Sequence, residues 1–226
     1  MSVDFRVISL GTLSRNRLWG EGTAVRTAHA TTTLVTAGKR RILVDPGLPG
    51  QILAARYNER TGGRLEDVTD VFCTTLRPAH RRGLEAMPHA KWWCGETELE
   101  SYAQHLEALA ESAGRLAGED AGAIGEERKL IGRFLGAPEK FDEMVGLYPL
   151  AGPSVGSAGL LLTPPARTIL IAGDAALTIE HVERGQAWEG CADAEAAMES
   201  LQDMLEVADL IVCGHDNVML APRVIA

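Results

Sequence analysis

The 226-residue chain is 46% hydrophobic and 23% charged, an ordinary globular balance with enough apolar material for a sizeable core. Its formal charge of −9 is spread along the sequence, which argues against a domain-wide basic footprint for nucleic acid. No apolar run approaches the roughly 20 residues that cross a bilayer, so no membrane contact is expected. Met1-Ser2-Val3-Asp4-Phe5 is not a basic-then-apolar leader, and Cys73, Cys94, Cys191 and Cys213 are scattered with no C-x-x-C pair. Free thiols and a cytoplasmic location are the expectation.

In chain order, Phe5 to Leu10 alternates as a strand, and Thr31 to Thr36 is β-branched. Ala37-Gly38-Lys39 turns the chain into the strand Arg40 to Val44, which Asp45-Pro46-Gly47 stops. Gln51 to Arg60 reads as a helix ended by Gly62-Gly63. Asp70 to Thr74 is a compact strand followed by a polar stretch to Gly83. In the strand Lys91 to Cys94, Trp92 and Trp93 must face opposite ways. Glu96 to Ser112 is helical, and Gly118 to Leu135 is a second helical stretch with repeated glycines. Val145 to Leu150, Gly159 to Thr163 and Arg167 to Ala172 read as strands. Ala192 to Val207 is a helix with Ala197, Leu201, Leu205 and Ala208 near helical spacing, and it leads into the strand Asp209 to Cys213. No linker separates these elements, so residues 1–226 are read as one domain of two sheets with helices outside.

Three polar loops follow apolar strands: Thr74 to Gly83, Gly173-Asp174-Ala175, and Gly214-His215-Asp216. Strand ends can aim short polar side chains at one point. His80, Asp174 and His215 form a two-histidine, one-carboxylate set suited to zinc, iron or manganese. Their alternative is ordinary turn, cap or surface duty. No phosphate-cradling glycine loop or G-x-S-x-G elbow is present.

The order of these loops resembles the metallo-β-lactamase superfamily, from about Thr31 to about Ala221. Val44-Asp45-Pro46-Gly47 is similar to the family's D-x-G turn. Val71 to Gly83 corresponds to its T-H-x-H-x-D-H-x-x-G segment, and Leu150 to Ser157 to its P-G-H-T-x-G-S segment. Ile171 to Asp174 and Val212 to His215 match its bridging aspartate and final histidine. The resemblance implies an α/β fold, the αββα sandwich of two mixed sheets with helices on the outer faces.

It also implies a two-metal site that this chain has partly lost. Thr75, Arg77 and Pro153 stand where three histidines would hold the first ion, and none of them can replace an imidazole. Ala79 replaces the aspartate of the second site, while His80, Asp174 and His215 remain. Two-metal hydrolysis is therefore not expected. Three readings follow. The first is a non-catalytic or ligand-binding homologue with no cofactor. The second is a hydrolase using one weakly bound divalent metal. The third is a structural or oligomeric protein with a filled pocket.

The pocket is expected to be lined by Thr75, Arg77, Ala79, Pro153, Ser154, Trp19 and Trp188. Arg77 should enter the vacated first site and pair bidentately with Asp174, or receive a small anionic ligand there. Trp19, close after Arg15 and Arg17, could contact ligand, contact a second copy in a homo-oligomer, or pack on its own sheet. Arg81 and Arg82 are expected to be solvated, and His181 to lie on the surface.

Overall fold

The computed structural model describes residues 2–113 and 119–222. The first half of the chain forms one six-stranded sheet: β1 (Val3–Ser9), β2 (Thr32–Ala37), β3 (Arg40–Val44), β4 (Asp70–Phe72), β5 (Lys91–Cys94) and β6 (Phe134–Gly136), adjacent in that order. The second half forms the other, from β7 (Lys140–Asp142) through β8 (Val145–Pro149), β9 (Ala158–Leu162), β10 (Ile169–Gly173) and β11 (Leu210–Cys213) to β12 (Val218–Leu220). Both sheets are mixed. β3 to β6 pair in parallel and β10 pairs in parallel with β11, while the remaining neighbours are antiparallel.

The two-residue side-chain period sorts each strand between two cores. On β3, Ile42 and Val44 point into the space between the sheets, while Leu43 points out toward helices. Phe72 and Trp93 likewise point in, while Val71 and Trp92 point out. On the second sheet Ile169, Ile171 and Val212 face the first, whereas Leu170 and Ile211 face outward. Helices cover both outer faces. Leu53 and Tyr57 of α1 (Gly50–Thr61) and Leu106 of α2 (Glu96–Ala113) pack on the first sheet. Ala197, Leu201 and Met204 of α4 (Ala194–Val207) are buried at the second. This is the αββα sandwich. Among the described residues no helix is long and apolar enough to cross a membrane.

Two elements correct the expectation. The helix expected over Gly118 to Leu135 is α3 (Glu119–Ile131), and its expected first residue, Gly118, lies outside the described residues. The end of that stretch is strand β6, because Phe134 is drawn into the core beside Trp92, ring centroids 5.7 Å apart. The three-residue edge strands β7 and β12 are too short to show an alternation.

Candidate metal centre

Strand ends from both sheets deliver the site. The loop after β4 carries Thr74 to Arg81, β10 ends immediately before Asp174, and β11 ends two residues before His215. Gly173 makes the approach possible. Its φ is +55°, and a Cβ there would stand 2.2 Å from Thr74 Oγ1, so only glycine lets the end of β10 lie against the Thr74 loop.

His80, Asp174 and His215 converge, with one ligand atom from each lying within 4.8 Å of the others. His80 Nε2 and His215 Nε2 are both 3.1 Å from Asp174 Oδ1, and all three side chains are buried. The second nitrogen of each imidazole is anchored elsewhere. His80 Nδ1 lies 3.1 Å from Asp45 Oδ2, and His215 Nδ1 lies 3.1 and 3.0 Å from the carbonyls of Thr12 and His29. Ligating histidines characteristically have one ring nitrogen fixed by a carboxylate or carbonyl while the other is presented to the ion. Asp45 is itself fixed, accepting from the backbone N–H and the hydroxyl of Thr74, each at 2.8 Å. These residues fit one divalent ion.

Without an ion the same groups hold one another electrostatically. Burial alone would lower the pKa of His80, but Asp174 and Asp45 on its two sides overcome this and push it up to about 10. Burial would raise Asp174, yet the charges and hydrogen bonds of His80 and His215 hold it well below the usual carboxylate range.

The residues that the resemblance places at a first ion are otherwise employed. Thr75 Oγ1 donates to Glu98 Oε1 at 2.8 Å, and Ser154 Oγ donates to Glu98 Oε2 at 2.7 Å. The Pro153 carbonyl accepts from Arg77 Nη2, and Arg77 Nη1 lies 3.1 Å from Asp174 Oδ2. The arginine thus faces Asp174 as expected, but through one nitrogen. Its second nitrogen is drawn to the carbonyls of Pro153 and Gly190, so the bidentate pair does not form. These residues do not fit a second ion. Among the described residues His80, Asp174 and His215 are the one group of His, Cys, Asp and Glu side chains in ligand geometry.

A cavity of about 590 Å³ opens above the triad, and Arg15, Arg17, Arg77, Ala79, Trp188 and Glu189 are in its wall. Thr75 and Ser154 lie behind that wall on Glu98, and Pro153 reaches the site only through its carbonyl. Trp19 is outside the cavity. It is 57% exposed, its indole N–H donates to Glu180, and Arg26 lies 5.4 Å from its ring centroid. Two further expectations are corrected. Arg81 is buried, drawn inward by Glu127, Tyr102 and the Leu76 carbonyl. His181 is buried with Nδ1 2.7 Å from Thr178 Oγ1. Arg82 stays at the exposed surface on the Ala28 carbonyl. Asp45 was legible only as a turn residue, Glu98 only as a charge in the first turn of a helix, and Glu189 only as a neighbour of Trp188.

Several solved structures share the fold. A Thermotoga maritima protein described as a metallo-beta-lactamase superposes with a TM-score of 0.70 at 18% identity, covering 96% of this chain and 99% of that one. AidC, a dizinc quorum-quenching lactonase, gives 0.68 at 14% identity over 88% of this chain and 77% of its own. A variant of AiiA from B. thuringiensis, bound to N-decanoyl-L-homoserine, gives 0.62 at 18% over 95% and 92%. Against curated protein sequences the chain has no match. The sequence model of the metallo-beta-lactamase superfamily matches residues 26–215, and with the sandwich and the surviving triad in place the chain belongs to that superfamily, as a member with a single metal-binding triad rather than two.

Proposed function

We propose that this chain is a hydrolase that works with one divalent ion, zinc, iron or manganese, held by His80 Nε2, Asp174 Oδ1 and His215 Nε2. The observation that carries this reading is the double anchoring of both imidazoles, which aims their Nε2 atoms at the same carboxylate oxygen. An ion there supplies Lewis acidity and lowers the pKa of a coordinated water.

The chain's own residues do the rest. Asp45 and the carbonyls of Thr12 and His29 keep the imidazoles oriented. Arg77, partly exposed beside Asp174, can stabilise negative charge that develops on a substrate oxygen. Ala79 offers no carboxylate to orient a water, so slow turnover is expected. A non-catalytic, ligand-binding role is the second reading, favoured by Arg77 standing in place of a ligand. A filled pocket is disfavoured by the open cavity above the triad.

The lactonases among the similar structures make acyl lactones and simple esters the first compounds to assay. Protein stripped with chelator should bind one equivalent of zinc, iron(II) or manganese and gain hydrolytic turnover that Asp174→Asn abolishes. Turnover that survives chelation and D174N, or no ion bound at micromolar concentration, would overturn the proposal.

A further inference from the structure

Three arginines face the cavity above the triad, in a chain whose net charge is −9. Only two carboxylates line the same wall, Asp174 and Glu189. One short segment touches all three guanidinium groups. The ring of Trp188 lies 4.2 Å from the Arg77 guanidinium carbon, and the Gly190 carbonyl accepts from Arg77 Nη2 at 3.3 Å. Glu189 Oε1 lies 2.7 Å from Arg17 Nε and 3.4 Å from Arg15 Nη2. The polar contacts of Arg77 use its two terminal nitrogens, and Nε has no partner among the described residues. Leu13, Ala24 and Leu177 complete the wall with apolar surface.

We propose that this cavity is a receptor for small carboxylates with an apolar body, bound by Arg77 on its Trp188 platform and by Arg15 and Arg17. Glu189 holds the last two in the ligand-free state as a built-in substitute for the ligand's carboxylate. An aromatic face fixes the plane of a guanidinium without consuming its N–H donors, and a planar fork suits a carboxylate. The apolar walls then bury the remainder of the ligand. This deepens the single-metal reading by naming the substrate class, a carboxylate-bearing ester, amide or lactone, although carboxylate binding itself requires no ion.

The test is calorimetric titration of chelator-treated protein with benzoate at constant ionic strength, with benzamide as the neutral control. Benzoate should bind and benzamide should not. Arg77→Met should weaken benzoate about tenfold, as expected for loss of a charge-assisted pair. Arg15→Gln with Arg17→Gln should weaken it severalfold, and these exposed positions keep the test sound if R77M fails to fold. Glu189→Gln should tighten benzoate, because the internal competitor has lost its charge. Equal affinity for benzoate and benzamide, or equal benzoate affinity in R77M and the parent, overturns the proposal. Benzoate bound only after zinc, and equally in R77M, overturns it while leaving the metal reading intact. Arg77-dependent benzoate binding in a protein that takes up no zinc supports it and sinks the metal reading instead.

Discussion

Arg77 occupies the oxygen of Asp174 that the histidines leave. Its Nη1 lies 3.1 Å from Oδ2, whereas both imidazoles approach Oδ1. The carboxylate is buried and its arginine is 27% exposed at the side chain, so the pair spans the boundary between the cavity and the core. A guanidinium this close offsets negative charge that an incoming ion would otherwise use. Replacing it with histidine removes that cation and restores one imidazole. Arg77→His should therefore bind zinc about tenfold more tightly, a gain of about 1.4 kcal/mol. Stoichiometry should stay at one ion per chain, because Thr75, Ala79 and Pro153 still contribute no ligand. Calorimetric titration of both proteins makes the comparison, and equal or weaker binding by R77H would show that Arg77 does not compete with the ion.

A second prediction concerns protons. His80 lies between two carboxylates with its pKa raised from 6.5 to about 10, so at neutral pH the metal-free protein carries an imidazolium there. An ion at Nε2 must displace that proton while Nδ1 keeps its hydrogen on Asp45. Zinc binding at pH 7 should release about one proton from this group, read from binding enthalpies in buffers of different ionisation enthalpy. The same shift fixes the sign for the metal-free fold. A group whose folded pKa is raised contributes stability that is fully present below the unfolded value, near 6.5, and is lost as pH rises through about 10. Denaturant midpoints of chelated protein should therefore fall between pH 7 and pH 10, and zinc should remove that fall. A flat profile without zinc would mean that His80 is neutral in the metal-free state.

The sandwich was legible because its evidence is local and repeated. Alternation on β3, β5 and β10 separates inward from outward residues without reference to any partner, and Asp45, Asp174 and His215 each follow an apolar strand. The triad was legible for the same reason. What could not be read depends on long-range partners. Nothing in Thr75 or Ser154 points to Glu98, 23 and 56 residues away. Arg81 looks like any solvated arginine until Glu127, 46 residues on, arrives beside it. The bidentate pair expected for Arg77 was defeated by two carbonyls, which carry no side-chain signature.

Glu98 supplies a third prediction. It is 2% exposed and accepts from the Thr75 and Ser154 hydroxyls and from the backbone N–H groups of Leu76 and Gly156. It thereby ties the start of α2 to the loops that carry Thr75 and Ser154. Glu98→Ala leaves the buried Leu76 N–H and the part-buried Gly156 N–H without a partner, which costs about 1–3 kcal/mol for the first and less for the second. Urea denaturation of E98A should show a loss of about 2 kcal/mol or more, with Glu98→Gln retaining part of the stability. A loss below about 1 kcal/mol would mean that water or another acceptor readily replaces the carboxylate.

The last prediction separates charge from backbone at Asp45. This residue has φ of +50°, a conformation that most side chains avoid but that asparagine accepts as readily as aspartate. Asp45→Asn therefore leaves the turn unstrained and changes only what faces His80. As aspartate, one oxygen accepts from the Thr74 N–H while the other lies 2.8 Å from the Thr74 hydroxyl and 3.1 Å from His80 Nδ1. Asparagine keeps one acceptor and turns an amide N–H toward a ring nitrogen that is itself a donor. The ring must then rotate, or Nδ1 must surrender its hydrogen, and either change spoils the presentation of Nε2. Loss of such a partner typically weakens a metal site about 10–100-fold. Zinc affinity should fall within that range in D45N, while the fall in the denaturation midpoint of the metal-free protein between pH 7 and pH 10 should be smaller than in the parent, since one of the two carboxylates beside His80 is gone. Both measurements are needed, because a general loosening of the loop would lower zinc affinity without flattening the pH dependence. Unchanged zinc affinity in a folded D45N protein would show that the orientation of His80 is set by packing alone.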